Sequence, residues 1–105
     1  MFDAKNCVKQ RYFPVKLYMT DNSTEKNIVI NVEPPKIKTL KKLMTFAEKT
    51  EVSADEFKYM ITALLNKNKE HKNVDKYVDE LSIDQLQAIY TAFMEWLDSS
   101  KKEKN

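Results

Sequence analysis

Residues 27–47 decide the fold because the spacing of apolar residues changes within them, and they read NIVINVEPPKIKTLKKLMTFA. Before the prolines at 34 and 35, apolar residues recur at every second position, which is typical of a strand with one buried face. After the prolines they recur at steps of three and four, which predicts an amphipathic helix. The helical pattern consists of Ile37, Leu40, Leu43, Met44 and Ala47. Because proline lacks an amide hydrogen and restricts its predecessor, the change from strand to helix is expected there.

The stretch before this strand has the same period-two pattern. Residues 13–20 place four apolar side chains on one side of an extended chain, namely Phe13, Val15, Leu17 and Met19. Residues 21–26 are rich in turn-forming residue types, so we expect a β-hairpin over 12–33 with a rather long loop. A lone hairpin is marginally stable in water, so its apolar face must pack against the helices that follow.

Two capping boxes predict the starts of later helices. Ser53 and Glu56 have the spacing at which each side chain can satisfy the free amide of the other residue. Ser82 and Gln85 have the same spacing and precede the longest and most apolar helical pattern, which runs to about Ser99. These positions therefore predict the beginnings of a second helix and of the last helix.

The remaining sequence completes the predicted architecture. Residues 66–73 are predicted to form a solvated loop in which an asparagine takes the left-handed conformation, and 74–81 a short helix. The fold class is thus α+β and mostly helical, with an N-terminal hairpin packed on a bundle of three to four helices. We expect a single domain over 1–105, comprising a loose N-terminus (1–11), the hairpin (12–33), a helical part (36–99) and a charged tail (100–105).

Composition excludes several function classes. The chain of 105 residues has no glycine, which the P-loop, the Rossmann fingerprint and the EF-hand loop all require. With 42% hydrophobic and 32% charged residues, it has the balance of a soluble domain. The single Cys7 excludes an internal disulfide and fits a reducing compartment. We recognise no secretion signal and no run long enough for a membrane span.

Catalytic and metal-binding residues are not predicted. His71 is the single histidine and lies in the lysine-rich loop, where a solvent-exposed role is expected. Cys7 has no neighbour that would activate its thiol. Four carboxylates could bind a cation or act as an acid–base pair, but their spacing favours a solvated face and a helix start. They are Asp75, Asp79, Glu80 and Asp84. We therefore predict no cofactor and no metal.

A basic patch precedes and enters the first predicted helix. It consists of Lys36, Lys38, Lys41 and Lys42. Such a patch can contact an anionic partner, and it supports an alternative function as a small regulatory or nucleic-acid-binding domain. Because no aromatic residue is interleaved for base stacking, a solvated face is favoured and nucleic acid is not expected as the partner.

The last predicted helix has an unusually wide apolar face. At about 100° per residue, its apolar side chains fill an arc of roughly 160°, wider than one packed stripe requires. Leu86 and Phe93 lie in the middle of the arc and are predicted to be core. The helix is either covered on both sides by its own chain, or part of the arc binds another chain. The candidate protein-binding residues at the edges are Tyr90, Met94, Trp96 and Leu97.

The order of these features resembles the small tail assembly chaperones of long-tailed (siphovirus) phages of Gram-positive bacteria. The resemblance spans about residues 12–98. It is carried by the PVKLYM hairpin strand (14–19), by the two prolines with LKKLM (40–44), and by SIDQLQAIYTAFMEW (82–96). It consists of apolar pattern and includes no catalytic motif.

This resemblance implies a non-enzymatic protein that acts during phage tail assembly in the host cytoplasm and is absent from the mature virion. Such a chaperone coats the apolar, helical tape measure protein until tail tube subunits polymerise around it. The implied partners are the tape measure protein, further copies of the same chain in a homo-oligomer, and the tail tube protein as a further candidate. No membrane is implied.

Overall fold

In a computed structural model, the structure describes residues 1–4, 11–49 and 51–102. These residues form two strands and four helices in the order β1 (Phe13–Asp21), β2 (Thr24–Val32), α1 (Ile37–Ala47), α2 (Ala54–Leu65), α3 (Asp75–Asp79) and α4 (Ile83–Lys102). The predicted α+β, mostly helical fold with an N-terminal hairpin is therefore confirmed. Cys7, most of the predicted loose N-terminus and the last three residues of the predicted tail lie outside the described residues.

The strands of the hairpin are longer and the turn between them is tighter than the sequence suggested. β1 and β2 pair antiparallel from Phe13 opposite Val32 to Asp21 opposite Thr24. A turn of two residues, Asn22 and Ser23, connects the strands. The φ angles of these residues, 51° and 66°, are those of a type I′ turn, whose twist matches the twist of paired strands. The predicted long loop is wrong, because the polar residues 24–26 continue the ladder instead of looping out.

One face of the hairpin contributes to the core. Leu17, Ile30 and Val32 are fully buried, as the period-two pattern predicted. The opposite face carries Tyr18 and Val29, which are exposed. The buried face packs with side chains of all four helices, including Leu43, Ile61, Leu65, Val78 and Phe93. This shared core is what fixes the helices relative to the sheet.

The segment between α2 and α3 docks on β2, so the loop predicted over 66–73 is exposed at most of its positions but is tied to the hairpin. The backbone amide of Glu33 donates to the carbonyl of Lys67 at 2.9 Å, and the amide of Lys69 donates to the carbonyl of Asn31 at 2.9 Å. These two bonds flank an isolated antiparallel bridge between Val32 and Asn68. The segment therefore extends the hairpin by a single bridge and satisfies backbone groups at its edge.

Asn68 organises this segment from within. Its side chain is buried, and its amide nitrogen donates to the carbonyls of Leu65 at 2.8 Å and of Lys72 at 2.9 Å. Its side-chain oxygen accepts from the amide of Lys72 at 2.9 Å. The left-handed residue of the segment is His71, at φ 56°, and not an asparagine as predicted. Asparagine was needed for its side-chain bonds, which turn propensity does not reveal.

The two predicted capping boxes begin α2 and α4. The amide of Glu56 donates to the hydroxyl of Ser53 at 3.1 Å. At α4 the pair is reciprocal. The amide of Gln85 donates to the Ser82 hydroxyl at 3.1 Å, and the amide of Ser82 donates to the Gln85 side-chain oxygen at 2.8 Å.

Across the described parts of the chain, no helix is both long enough and apolar enough to cross a membrane.

Candidate protein-binding groove

The wide apolar arc of α4 is covered by its own chain. Leu86 and Phe93 are buried, which confirms them as core. Tyr90, Met94, Trp96 and Leu97 are partly buried and pack against that core, so their predicted exposure is not observed. The reason is that α4 has neighbours on both edges of the arc. Their role in binding another chain stays a prediction, with less free surface than the helical pattern indicated.

Trp96 packs against Arg11 and Phe13, which lie at the beginning of the hairpin. The ring of Phe13 meets the Phe93 ring edge-on at 5.4 Å and lies 5.7 Å from the Trp96 ring. The Arg11 guanidinium stacks 4.1 Å from the Trp96 ring centre, and its Nη2 donates to the Trp96 carbonyl at 3.0 Å. Cation–π stacking and a charged hydrogen bond thus cover the outer side of the indole.

Tyr90 covers the other edge of the arc. Its ring meets the Phe57 ring edge-on at 5.9 Å, beside a small cavity of about 380 Å³ at the start of α2. Its hydroxyl oxygen is buried and has no hydrogen-bond partner among the described residues. Burial disfavours the phenolate and raises the pKa of Tyr90. This hydroxyl is an energetic defect of the packed region and does not face a polar partner.

The free apolar surface lies on α1 and α2. Ile37 on α1 is 73% exposed, Met44 is 55% exposed, and Tyr59 on α2 is 79% exposed. Between the two helices runs an open groove of about 810 Å³. Its lining consists of Thr39, Lys41, Lys42, Leu43, Thr45, Phe46 and Lys49 from α1 and its end, and of Asp55, Glu56, Tyr59, Met60, Ala63 and Leu64 from α2. We call this feature the α1–α2 groove.

The groove exists because few side chains of α1 pack against the rest of the described chain. Leu43 is its fully buried side chain, and Phe46 stacks on Phe57 with ring centres 5.6 Å apart and planes 15° apart. The helical pattern had assigned Ile37 and Met44 to the buried stripe together with Leu43. Both are exposed because no other element of the described chain covers that side of α1. The pattern identified an apolar face correctly, but it could not show whether a neighbour was available.

α1 therefore presents two free apolar surfaces on different sides. Lys42 and Met44 are two residues apart, which places them about 200° apart around the helix. Lys42 lines the groove, whereas Ile37 and Met44 are not part of its lining. We call Ile37 and Met44 the outer stripe of α1. Lys41 also lines the groove and lies only about 40° from Ile37 and about 60° from Met44 around the helix, so the outer stripe borders the groove.

The predicted basic patch is only partly at the groove. All four lysines are exposed, and Lys41 and Lys42 line the groove whereas Lys36 and Lys38 do not. None of the four forms an ion pair within the part of the chain that the structure describes. The first turn of α1 contains no acidic residue. Cations near a helix N-terminus are unfavourable, so these charges do not serve the stability of α1.

The other end of the groove carries carboxylates as well as a lysine. Nζ of Lys49 lies 3.5 Å from a carboxylate oxygen of Glu56, and 5.8 Å from the centre of the Phe46 ring. Asp55 lines the same end. The groove thus has one end without excess positive charge, beside the start of α2, and one basic end, which carries Lys41 and Lys42.

Three of the four carboxylates considered for cation binding have structural partners, and the fourth, Asp84, lies in the first turn of α4. Asp79 forms an ion pair with Lys58, which raises the pKa of that lysine through the hydrogen bond to Asp79. Both oxygens of Glu80 accept from the amide of Thr20, at 2.9 and 3.1 Å, and Asp75 accepts from the Asn66 side chain at 3.0 Å. No group of three or more metal-ligating side chains occurs within residues 1–4, 11–49 and 51–102. His71 is exposed, as predicted.

Comparisons with known protein families, with curated proteins and with solved structures found no match. The resemblance to phage tail assembly chaperones thus stays a prediction from the residues that carry it. The structure adds one feature that the sequence did not reveal, the α1–α2 groove. With a volume of about 810 Å³ and several apolar lining residues, it is a feature that a functional assignment has to account for.

Proposed function

We propose that this protein is a non-enzymatic assembly chaperone that binds an apolar helical client, as the resemblance to phage tail assembly chaperones implies. The α1–α2 groove is the single observation that supports this function best. It is open along two helices, has a floor of Leu43, Phe46, Met60 and Leu64, and carries the highly exposed Tyr59 on its rim. The client in this proposal is the tape measure protein, before tail tube subunits assemble around it.

The groove has the physical properties needed for this task. A client helix laid between α1 and α2 would bury its apolar face against theirs, which is the helix-in-groove mode of recognition. Methionine and aromatic side chains adapt to varied apolar partners, so a client with a repetitive sequence could be held at many positions. Apolar burial also allows release when a better-matched partner, such as a polymerising tail tube, displaces the chaperone.

Self-association is the second part of the proposal, and the outer stripe of α1 is its candidate surface. Ile37 and Met44 are exposed and are not part of the groove lining, which they border at Lys41. A chaperone that coats a long client gains from neighbouring copies, because linked binding events raise the effective concentration. In this proposal the client and the neighbouring copy lie side by side on α1.

The groove favours a protein client over nucleic acid. Its floor is apolar, and Asp55 lies at one end, where its carboxylate would repel phosphates. Salt separates the two alternatives, because phosphate contacts weaken steeply with salt whereas apolar association does not. In this proposal, the lysine-rich α1 therefore forms one wall of a mainly apolar groove and does not serve as a phosphate-binding surface.

Co-expression with the tape measure protein encoded in the same genome tests the function. We expect the tape measure protein to stay in solution and to co-purify with this chain in both low and high salt. Tyr59→Glu places a charge on the exposed rim of the groove and should reduce co-purification at least tenfold. Tyr18→Glu is the matched control, because Tyr18 is exposed on the outer face of the hairpin, away from the groove.

The outcomes are separated by folding controls. Because both tyrosines are exposed, the free energy of unfolding of each variant should lie within about 0.5 kcal/mol of the wild-type value. Equal co-purification by Tyr59→Glu and Tyr18→Glu would show that the groove does not hold the client. A tape measure protein that precipitates in the presence of the wild-type chain would contradict the chaperone function itself.

A further inference from the structure

We propose that the occupant of the α1–α2 groove is an amphipathic helix that carries carboxylates at one end of its apolar face, where they meet Lys41 and Lys42. This inference rests on the proposed function and specifies the partner's chemistry and its direction in the groove. Its basis is the unequal charge of the two groove ends, which an apolar floor alone would not require.

The direction follows from how α1 and α2 are connected. α1 ends at Ala47 and α2 begins at Ala54, and residues of both helices line the groove from one end to the other. At the end near this connection, Lys49 and Glu56 neutralise each other at 3.5 Å. At the far end, the α1 wall carries Lys41 and Lys42.

The charge at the far end has no internal partner. Neither Lys41 nor Lys42 forms an ion pair anywhere in the described chain, and the first turn of α1 has no carboxylate. Beyond Asp55 and Glu56, the α2 lining of the groove carries no charge and consists of Tyr59, Met60, Ala63 and Leu64. A helix seated in the groove would therefore bring its own end close to two unpaired cations.

An apolar helix with a basic end would be disfavoured in this position. Two cations beside a partly desolvated groove repel lysine or arginine and attract aspartate or glutamate more strongly than they would in open water. Charge pairs of this kind fix register and orientation more than they raise affinity. The proposed occupant thus binds in one direction, with its acidic end at Lys41 and Lys42.

Three synthetic peptides of about 20 residues test the inference. They share one apolar face of leucine and alanine and differ only in two residues at one end, which are glutamate, glutamine or lysine. Affinity is measured by fluorescence anisotropy with the full chain at low and high salt. We expect affinity to decrease from the glutamate to the glutamine to the lysine peptide, by roughly three- to tenfold at each step. High salt should reduce these differences.

A charge reversal in the protein completes the experiment. Lys41→Glu/Lys42→Glu should invert the order, so that the lysine peptide binds best. Lys67→Glu/Lys72→Glu changes the net charge equally at exposed positions between α2 and α3, and should retain the wild-type order. This control separates a local effect from the effect of overall charge.

Each result decides between the two proposals. Equal affinity of all three peptides, abolished by Tyr59→Glu, would overturn the inference about charge and keep the groove as a client site. Absence of binding by every peptide would overturn both. A concentration-dependent dimer that Lys41→Glu/Lys42→Glu dissociates would show that a second copy occupies the groove, and would also overturn the inference.

Discussion

α1 and α4 differ in how their apolar residues are used, although both helices have a clear apolar pattern. α4 has the wider arc, yet its aromatic residues pack against the hairpin and α2, and Arg11 covers Trp96. α1 has the narrower pattern, yet Ile37 and Met44 remain exposed and one side opens into a groove. The width of an apolar arc therefore does not determine how exposed its side chains are. Their exposure depends on how many neighbouring elements of the same chain pack against the helix.

The two helices consequently serve different purposes. α4 closes the core and links the hairpin to the helices, so changes in its apolar residues should act on stability. α1 is attached through Leu43 and Phe46 and offers the rest of its surface, so changes there should act on binding. Mutations of matched size in the two helices test this difference.

The largest effect is expected at the centre of α4. Phe93 is fully buried and meets the rings of Phe13 and Trp96. Phe93→Ala should lower the free energy of unfolding by about 3–5 kcal/mol, because it leaves a cavity and removes aromatic contacts. Urea unfolding followed by circular dichroism measures this loss. Phe93→Leu keeps most of the volume and should remain folded with a smaller loss.

The comparison for this prediction lies on α1. Ile37→Ala and Met44→Ala remove side chains of similar apolar character that are already exposed. Each should change the free energy of unfolding by less than about 0.5 kcal/mol. A loss of several kcal/mol at Ile37 or Met44, or an undamaged Phe93→Ala, would invert the assignment of the two helices.

The second largest effect is expected at Asn68, whose segment supports the packed side of the molecule. Asn68→Ala removes three side-chain bonds and leaves two carbonyls and one amide of a partly buried segment unsatisfied. The free energy of unfolding should fall by about 2–4 kcal/mol. Asn73→Ala is the control, since Asn73 makes one exposed bond, to the amide of Asp75, and should lose less than about 1 kcal/mol. Similar losses in both variants would show that Asn68 does not organise the segment.

The fold was largely predictable because local chemistry agrees with the final structure. The period-two patterns, the prolines at 34 and 35 and the two capping boxes each act over a few residues, and each has its predicted result. The turn length was missed because Thr24 and Lys26 are polar, although strands with one solvated face accept polar residues. The docking of residues 67–70 on β2 was missed because a backbone bridge between distant segments leaves no periodic signal.

The candidate site was predicted only in part. Lys41 and Lys42 were identified by charge, and the structure brings them to the groove, whereas the binding residues on α4 were chosen from arc width and proved largely covered. The groove itself could not be predicted, because it depends on the separation of two helices and on the absence of a third above them. Tyr59, which is exposed on α2, was not among the predicted binding residues.

The smallest effect is expected at Tyr90, at the border between the packed region and the α1 side. Its buried hydroxyl has no hydrogen-bond partner in the described part of the chain, so Tyr90→Phe should raise the free energy of unfolding by about 1 kcal/mol. Tyr18→Phe, at an exposed site, should change it by much less. A lower stability of Tyr90→Phe would mean that the hydroxyl has a partner, such as a water molecule, in solution.

The same tyrosine makes the free energy of unfolding depend on pH in the alkaline range. Burial raises the pKa of Tyr90 above its ordinary value of 10.0, because the phenolate is harder to desolvate than the phenol. The folded state therefore holds the proton more tightly than the unfolded state. Stability from this difference is complete below the unfolded pKa and is lost as the pH rises through the folded pKa. Wild type should thus lose more stability than Tyr90→Phe between about pH 9 and pH 11, measured by urea unfolding across that range. Parallel curves would place the Tyr90 hydroxyl in contact with solvent, and with it the edge of α4 that the comparison with α1 treats as closed.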